Sequence, residues 1–341
     1  MSSKIKISTH SPFQKLEAVL LGQGVSETFF DWVTDPAVKE PLNRIVRETN
    51  EDLLHIRRTL EQNDVQVFQT TPLEYKESFF QNRQATVVPP LQPRDVHLTL
   101  DDKCYCISTQ PEWSYIHDIV DRECLVNLFD LTYTNGKQWQ GGHLLSGACT
   151  YRLGSRLIVG DTIDNEAQKF ASNFFTELGY EIIFTGEQGH TDGCLSVLKP
   201  GVIVSLSKLL NYENLFPNWE VLSIKNQSWN LVKGWLEFKG RSQGRWWLPG
   251  EESNERLRAF VDTWLNKWVG YVEETVFDVN MLSLSEELVL VNNYNKEVFD
   301  FLKKHKIEPI ICPLRHRYFW DGGIHCLTLD LRREGNKENY F

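Results

Sequence analysis

The chain of 341 residues is 41% hydrophobic and 24% charged, an ordinary globular balance long enough for one large domain or two small ones. Its net charge of −10 argues against nucleic acid as a partner and suits a small cation. The seven cysteines are irregularly spaced, as reduced thiols would be, no apolar run approaches the ~20 residues of a membrane helix, and the first residues form no apolar signal segment, so a cytoplasmic location is expected.

Along the chain, clustered β-branched and aliphatic residues predict strands, and apolar residues recurring every three or four predict helices. Leu16–Leu21 reads as a strand, Leu42–Gln62 as a helix with Ile45, Leu53, Leu54 and Leu60 inward, and Val65–Gln69 as the next strand. Val96–Leu100 and Cys104–Ser108 are expected as a hairpin across Asp101-Asp102, with a helix near Ser114–Val120. A third block has strands Leu144–Ser146 and Arg156–Gly160, helix Asn165–Leu178 and strand Glu181–Thr185. The fourth has Cys194–Leu198, the turn Lys199-Pro200-Gly201, Val202–Leu206, a short helix and Glu220–Ile224. The fifth has Val279–Leu284, Glu287–Asn292, helix Lys296–Lys304 and Glu308–Cys312, and the last strand is Cys326–Leu331.

The order strand, turn, strand, helix, strand thus recurs about five times. A doubly wound parallel sheet also alternates strands and helices, but tight turns such as Lys199-Pro200-Gly201 demand antiparallel neighbours. The expected fold is therefore a single α/β domain over residues 1–341, a radial set of ββαβ modules. Between about 225 and 275 the pattern is interrupted by Trp-rich sequence (Trp229, Trp235, Trp246, Trp247, Trp264, Trp268) around a helix at Glu252–Trp268, an insertion on the lid side.

The chemistry concentrates at Asp321-Gly322-Gly323-Ile324-His325-Cys326. Two glycines let the backbone approach a substrate closely or adopt positive φ, and a thiol just after them is well placed as a nucleophile. A buried strand cysteine is the competing reading. To act near neutral pH the thiol needs a cationic neighbour or an oriented dipole, which His325, His190 or a bound cation would supply. His190-Thr191-Asp192, read as extended chain, puts an imidazole and a carboxylate on one face about 7 Å apart, the first for acid–base work and the second to hold substrate. Pro93-Arg94-Asp95 brings a carboxylate to a strand entrance, and Gln140-Gly141-Gly142-His143 is a second glycine pair flanked by polar groups. Cys104-Tyr105-Cys106 has a one-residue spacing and no second pair, weak evidence for zinc, so no metal is expected. No phosphate-binding glycine loop occurs, and no nucleotide cofactor is expected.

With these motifs in hand, the chain resembles the guanidino-group-modifying superfamily, whose fold is the five-bladed α/β-propeller (pentein), and within it the L-arginine:glycine amidinotransferases. The likeness runs through Leu16-Glu17-Ala18-Val19-Leu20-Leu21-Gly22, Pro93-Arg94-Asp95, His190-Thr191-Asp192-Gly193 with Lys199-Pro200-Gly201-Val202-Ile203-Val204-Ser205, and Val279-Asn280-Met281-Leu282. It is most specific at Gly322-Gly323-Ile324-His325-Cys326, whose strand ends in Arg332-Arg333. The resemblance implies that Cys326 attacks the guanidinium carbon of L-arginine, that His190 moves protons at the leaving and entering amines, and that no cofactor is needed. It implies ornithine and, with glycine as acceptor, guanidinoacetate as products, and a homodimer is common in the family. Asp192 would act with Cys326 and His190, and Arg94, Asp95, Gln140, His143, Lys208, Asn280, Gly323 and His325 would bind substrate. Three places depart from the family pattern: Gln140 stands where relatives carry an acid, Lys208 where they carry an arginine, and Glu273-Glu274 where they carry small hydroxyl residues. The rival expectations are a hydrolase giving citrulline, such as an arginine deiminase or dimethylargininase, and a non-catalytic binding protein on the same fold.

Overall fold

The computed structural model describes residues 4–69, 71–108, 110–128, 144–161, 165–188, 190–206, 215–224, 246–270 and 276–341, and the backbone of two short strands at 133–134 and 137–138. Among these residues the recurring sequence unit becomes five three-stranded sheets, each an antiparallel pair with a parallel third strand. In chain order four of them are His97–Leu100 with Lys103–Cys106 and Leu125–Asn127, Thr150–Leu153 with Arg156–Asp161 and Glu181–Gln188, Leu195–Lys199 with Val202–Leu206 and Glu220–Ile224, and Leu282–Ser285 with Leu288–Val291 and Glu308–Ile311. The fifth joins the two ends of the chain: Leu16–Leu21 lies between Thr328–Arg333 and Gln66–Phe68. The α/β class expected from the alternation is the observed one. The central strand Val202–Leu206 is buried throughout, which is why it is apolar at every position but Ser205.

The long helix is Pro36–Gln62, six residues longer at its start than expected. Asp35 caps it by accepting from the Ala37 amide at 3.0 Å. Pro41, which argues against helix in a sequence, lies in its second turn. The carbonyl it leaves unserved, that of Ala37, accepts instead from Asn254 Nδ2 at 2.7 Å. Asn254 also caps Glu255–Trp264, the described helix of the Trp-rich stretch. Trp246, Leu257, Val261 and Trp268 pack in the same apolar cluster as the long helix, with Trp268 Nε1 donating to the Val87 carbonyl at 2.7 Å. Its described part is therefore core, while 225–245 and 271–275 lie outside the described residues.

Three expected strands are corrected. Leu144–Ser146 is a turn, and the strand is Thr150–Leu153, whose Arg152 points into a buried ion cluster and so hides the apolar alternation. Val279–Leu284 splits into the short helix Val276–Val279 and the strand Leu282–Ser285. The last strand is Thr328–Arg333, which leaves Cys326 in the turn ahead of it.

What positions the site is a closed ring of hydrogen bonds through the segments that lead into the five sheets. Ala148 N donates to Arg94 O (3.1 Å), Asp192 N to Ala148 O (3.1 Å), and Asn280 Nδ2 to Asp192 O (3.1 Å). His325 N then donates to Asn280 Oδ1 (2.9 Å), and Arg94 Nε closes the ring on His325 O (2.9 Å). The segment ahead of each sheet contributes one member, so residues as distant as Arg94 and His325, 231 positions apart, are held side by side.

Candidate active site

Cys326 is buried on this ring. Asn280 Nδ2 lies 3.1 Å from its Sγ, and Asn280 Oδ1 accepts from the amides of His325 and Cys326 at 2.9 and 3.3 Å. Asn292 holds Asn280 in turn: its Nδ2 donates to the Asn280 carbonyl at 2.8 Å, and its Oδ1 accepts from Ile324 N at 3.0 Å. The glycine pair is explained by this crowding. A Cβ on Gly323 would sit 2.4 Å from Asn280 Oδ1, and one on Gly322 would sit 2.6 Å from Gln92 Nε2. Neither glycine has positive φ; the left-handed residue of the loop is Asp321, at φ 51°. Close approach, not backbone freedom, is the reason for Gly-Gly here.

Arg94 was expected to bind substrate, and the structure places it beneath the cysteine loop. Its Nε donates to the carbonyls of His325 and Thr328 at 2.9 and 2.8 Å, and its Nη2 pairs with Asp330 Oδ1 at 2.9 Å, with the side chain almost wholly buried. Asp330 also pairs with Arg152 and with Arg333, the latter at 2.9 Å. Burial would raise the Asp330 carboxyl, but Arg333, Arg94 and Arg152 together hold it well below its usual range. Burial in turn lowers Arg152 to about 10. Asn292, Asp330 and Arg152 were missed in the sequence; the signal was Asp330-Leu331-Arg332-Arg333, where a carboxylate and a guanidinium three apart flank a buried strand.

Around the thiol stand two carboxylates and two imidazoles. Asp192 is fully buried in the 3₁₀ turn Thr191–Gly193, held by its own amide on Ala148 O and by Thr191 Oγ1 on Cys149 O at 2.7 Å. The expected extended geometry of His190-Thr191-Asp192 is thus replaced by a turn that sends Asp192 inward and leaves His190 at the rim, with 43% of its side chain exposed. Asp192 Oδ2 accepts from His325 Nδ1 at 2.8 Å and lies 3.3 Å from Cys326 Sγ. Burial opposes ionisation of Asp192, but the His325 hydrogen bond outweighs it and the carboxyl is lowered. His325, stacked on Tyr151 at 5.2 Å, is pushed down to about 4 by burial, so it is a neutral imidazole whose Nδ1–H serves Asp192.

Asp95 ends the turn Pro93–Asp95, and its Oδ1 lies 3.9 Å from His190 Nδ1. Burial raises Asp95 to about 6. Partial burial would lower His190, but Asp95, then Asp192 and Asp321, reverse this and raise it. Burial, with Asp192 and Asp95 nearby, pushes the Cys326 thiol well up. Among the described residues, Asp95 Oδ1 and Asp192 Oδ1 are buried without a hydrogen-bond partner. Gln140, His143 and Lys208 lie outside the described residues. Of the remaining expected residues the ring brings together Cys326, Asp192, Asp95, His190, Asn280, Gly323 and His325.

Two curated relatives match short segments. L-arginine:L-lysine amidinotransferase of Pseudomonas savastanoi pv. phaseolicola is 33% identical over 71 residues, 21% of this chain and 20% of that protein. Mitochondrial glycine amidinotransferase of Xenopus laevis is 35% identical over 63 residues, 18% of this chain and 15% of that protein. Among solved structures, an amidinotransferase from Microseira wollei in the saxitoxin biosynthetic pathway superposes with a TM-score of 0.66 at 18% identity, over 98% of this chain and 99% of that one. In these segments the chain is similar to amidinotransferases, and over nearly its whole length it shares the fold of one. The same fold extends to DDAH of Pseudomonas aeruginosa, in complex with citrulline, with a TM-score of 0.53 at 10% identity, over 92% of this chain and 99% of that one. No protein-family model matches. The segments shared with the curated amidinotransferases span about a fifth or less of those proteins. No helix among the described residues is long and apolar enough to cross a membrane.

Proposed function

We propose that this chain is an amidinotransferase that takes the amidino group of L-arginine onto Cys326 and passes it to a primary amine, with glycine the first acceptor to test. The observation that carries this reading is the pair of buried carboxylate oxygens, Asp95 Oδ1 and Asp192 Oδ1, without partners among the described residues beside a buried thiol. Two such groups next to a nucleophile call for a cation with several coplanar N–H donors, and a guanidinium is that cation. Its charge also supplies what the Cys326 thiol lacks, since in the free site burial and two carboxylates hold the proton on sulfur.

The reaction then runs in two displacements. The Cys326 proton passes to solvent as the guanidinium binds and is regained from solvent when the product leaves; between these events Sγ bonds to the guanidinium carbon, and the bond from that carbon to the side-chain nitrogen of arginine breaks. His190, whose protonated form Asp95 and Asp192 favour, gives a proton to the departing amine of ornithine. The neutral His190 next accepts a proton from the acceptor amine as its nitrogen bonds to the amidino carbon and the S–C bond breaks. Glycine as acceptor would give guanidinoacetate. The relatives named above include enzymes called for lysine and for glycine, so the acceptor is the part of the proposal most in need of measurement.

Product analysis tests it: the protein is incubated with L-arginine, with and without glycine. Ornithine and guanidinoacetate formed together only when glycine is present is the expected result. Citrulline in both mixtures would replace the transferase by a hydrolase, and no product from arginine with a panel of amines would remove the catalytic reading.

A further inference from the structure

One side-chain cluster lies outside the thiol chemistry above. The hairpin His97–Leu100/Lys103–Cys106 pairs His97 with Cys106 across the ladder, and Cys104, two residues back on the same strand, points to the same face. The side chains of His97, Cys104 and Cys106 are all buried, and their ligating atoms lie within 4.8 Å of one another. Among the described residues neither ring nitrogen of His97 meets a hydrogen-bonding oxygen or nitrogen, although His97 is wholly inaccessible, and its polar neighbour is the Cys106 thiol. A thiol is a weak partner for a wholly buried imidazole, and apolar packing against Trp113 does not serve the second ring nitrogen. Both cysteines are free thiols. Residues i and i+2 of a strand stand about 7 Å apart at Cα, at the upper limit for a disulfide.

We propose that His97, Cys104 and Cys106 form a binding site for a thiophilic metal ion of the Zn²⁺ type, separate from the Cys326 centre. Two thiolates and a neutral imidazole balance the charge of Zn²⁺, which makes a buried site permissible, and they are borderline-soft donors of the kind this ion selects. Three protein ligands leave one of its four positions for an outside ligand. Access is provided for: Cys106 lines a cavity of about 360 Å³, whose wall also includes Trp113, His117, Arg122 and Asn127. A small anion or a water is the ligand such a position would take, with His117 and Arg122 as the polar side of the cavity. The one-residue cysteine spacing looked weak in the sequence because the third donor comes from the facing strand, seven residues upstream of Cys104.

The test uses the full chain, stripped with a chelator and reloaded with Co²⁺ as a spectroscopic probe. One Co²⁺ per chain, with an intense thiolate-to-cobalt charge-transfer band that Zn²⁺ abolishes, is expected in the wild type and in Cys326→Ala, and is lost in Cys106→Ser. In the unaltered protein, alkylation of Cys104 and Cys106 followed by mass spectrometry should slow about tenfold at a Zn²⁺ concentration about ten times its Kd. That measurement decides the matter even if the Cys106 variant fails to fold. Absence of stoichiometric binding, or a band that depends on Cys326 and survives Cys106→Ser, would overturn the proposal.

Discussion

Asp95 and Asp192 sit in two short 3₁₀ turns of the same kind, each leading into a three-stranded sheet, yet they are tuned in opposite directions. Asp192 accepts from His325 Nδ1 and is lowered; Asp95 has no such donor among the described residues, and burial raises it to about 6. What separates them is the neighbour each turn faces. Asp192 meets the cysteine loop, whose His325 is neutral and obliged to donate, whereas Asp95 faces the exposed His190 at 3.9 Å. A carboxylate already served on one oxygen is a rigid part of the site; one left unserved is poised for a ligand. Under the proposed function, Asp192 would orient Cys326 as well as substrate, and Asp95 would chiefly hold substrate.

The largest effect should come from Cys326→Ala, which removes turnover entirely while leaving the urea unfolding midpoint close to that of the parent. Next is Asp330→Asn, which breaks the cluster of Arg94, Arg152 and Arg333 beneath the cysteine loop. Removing the charge that three buried guanidinium groups share should destabilise the fold by about 3–5 kcal/mol, read by urea denaturation. Asp192→Asn and Asp95→Asn sharpen the comparison itself. Each removes a charge-assisted contact worth about 1.5–3 kcal/mol, seen as lower kcat/KM. Asp192→Asn should act mainly on kcat and on the alkylation rate of Cys326, while Asp95→Asn should act mainly on the KM for arginine. Equal effects on kcat and KM in the two variants would erase the distinction.

The smallest effect concerns pH. His190 is raised above its ordinary 6.5 by Asp95 and Asp192. Its contribution to stability should therefore be full below pH 6.5 and fade as the pH rises through its folded value. The difference in stability between the parent and His190→Gln, followed against pH, should decline in that direction. In Asp95→Asn, an NMR titration should find the His190 pKa moved down.

Much of this arrangement was legible in the sequence because local signals agreed with the fold. Lys296–Lys304 is bounded as expected because Asn295 caps it, accepting from the Glu297 and Val298 amides. Val202–Leu206 is a strand buried on both faces, so its apolar run has no competing helical reading. The nucleophile loop stood out because Gly322 and Gly323 are demanded by contacts that only a missing Cβ permits. Other features were hidden because they depend on distant partners. Thr150–Leu153 was missed because Arg152 serves a carboxylate 178 residues away, and Arg94 was misassigned because its acceptors lie more than 230 residues downstream. The inward turn of Asp192 is fixed by Ala148 and Cys149, in the turn that leads into another sheet, which no spacing within His190-Thr191-Asp192 encodes.

The central claim is that Cys326 carries the amidino group between two amines. Mass spectrometry of the protein after brief exposure to L-arginine, without acceptor and quenched in acid, addresses it directly. The account predicts a mass increase of one amidino group, mapped to the peptide containing Cys326, with stoichiometric ornithine, and its discharge when the acceptor amine is added. An unmodified Cys326 peptide alongside released ornithine or citrulline, or a modification mapped to another cysteine, would contradict it.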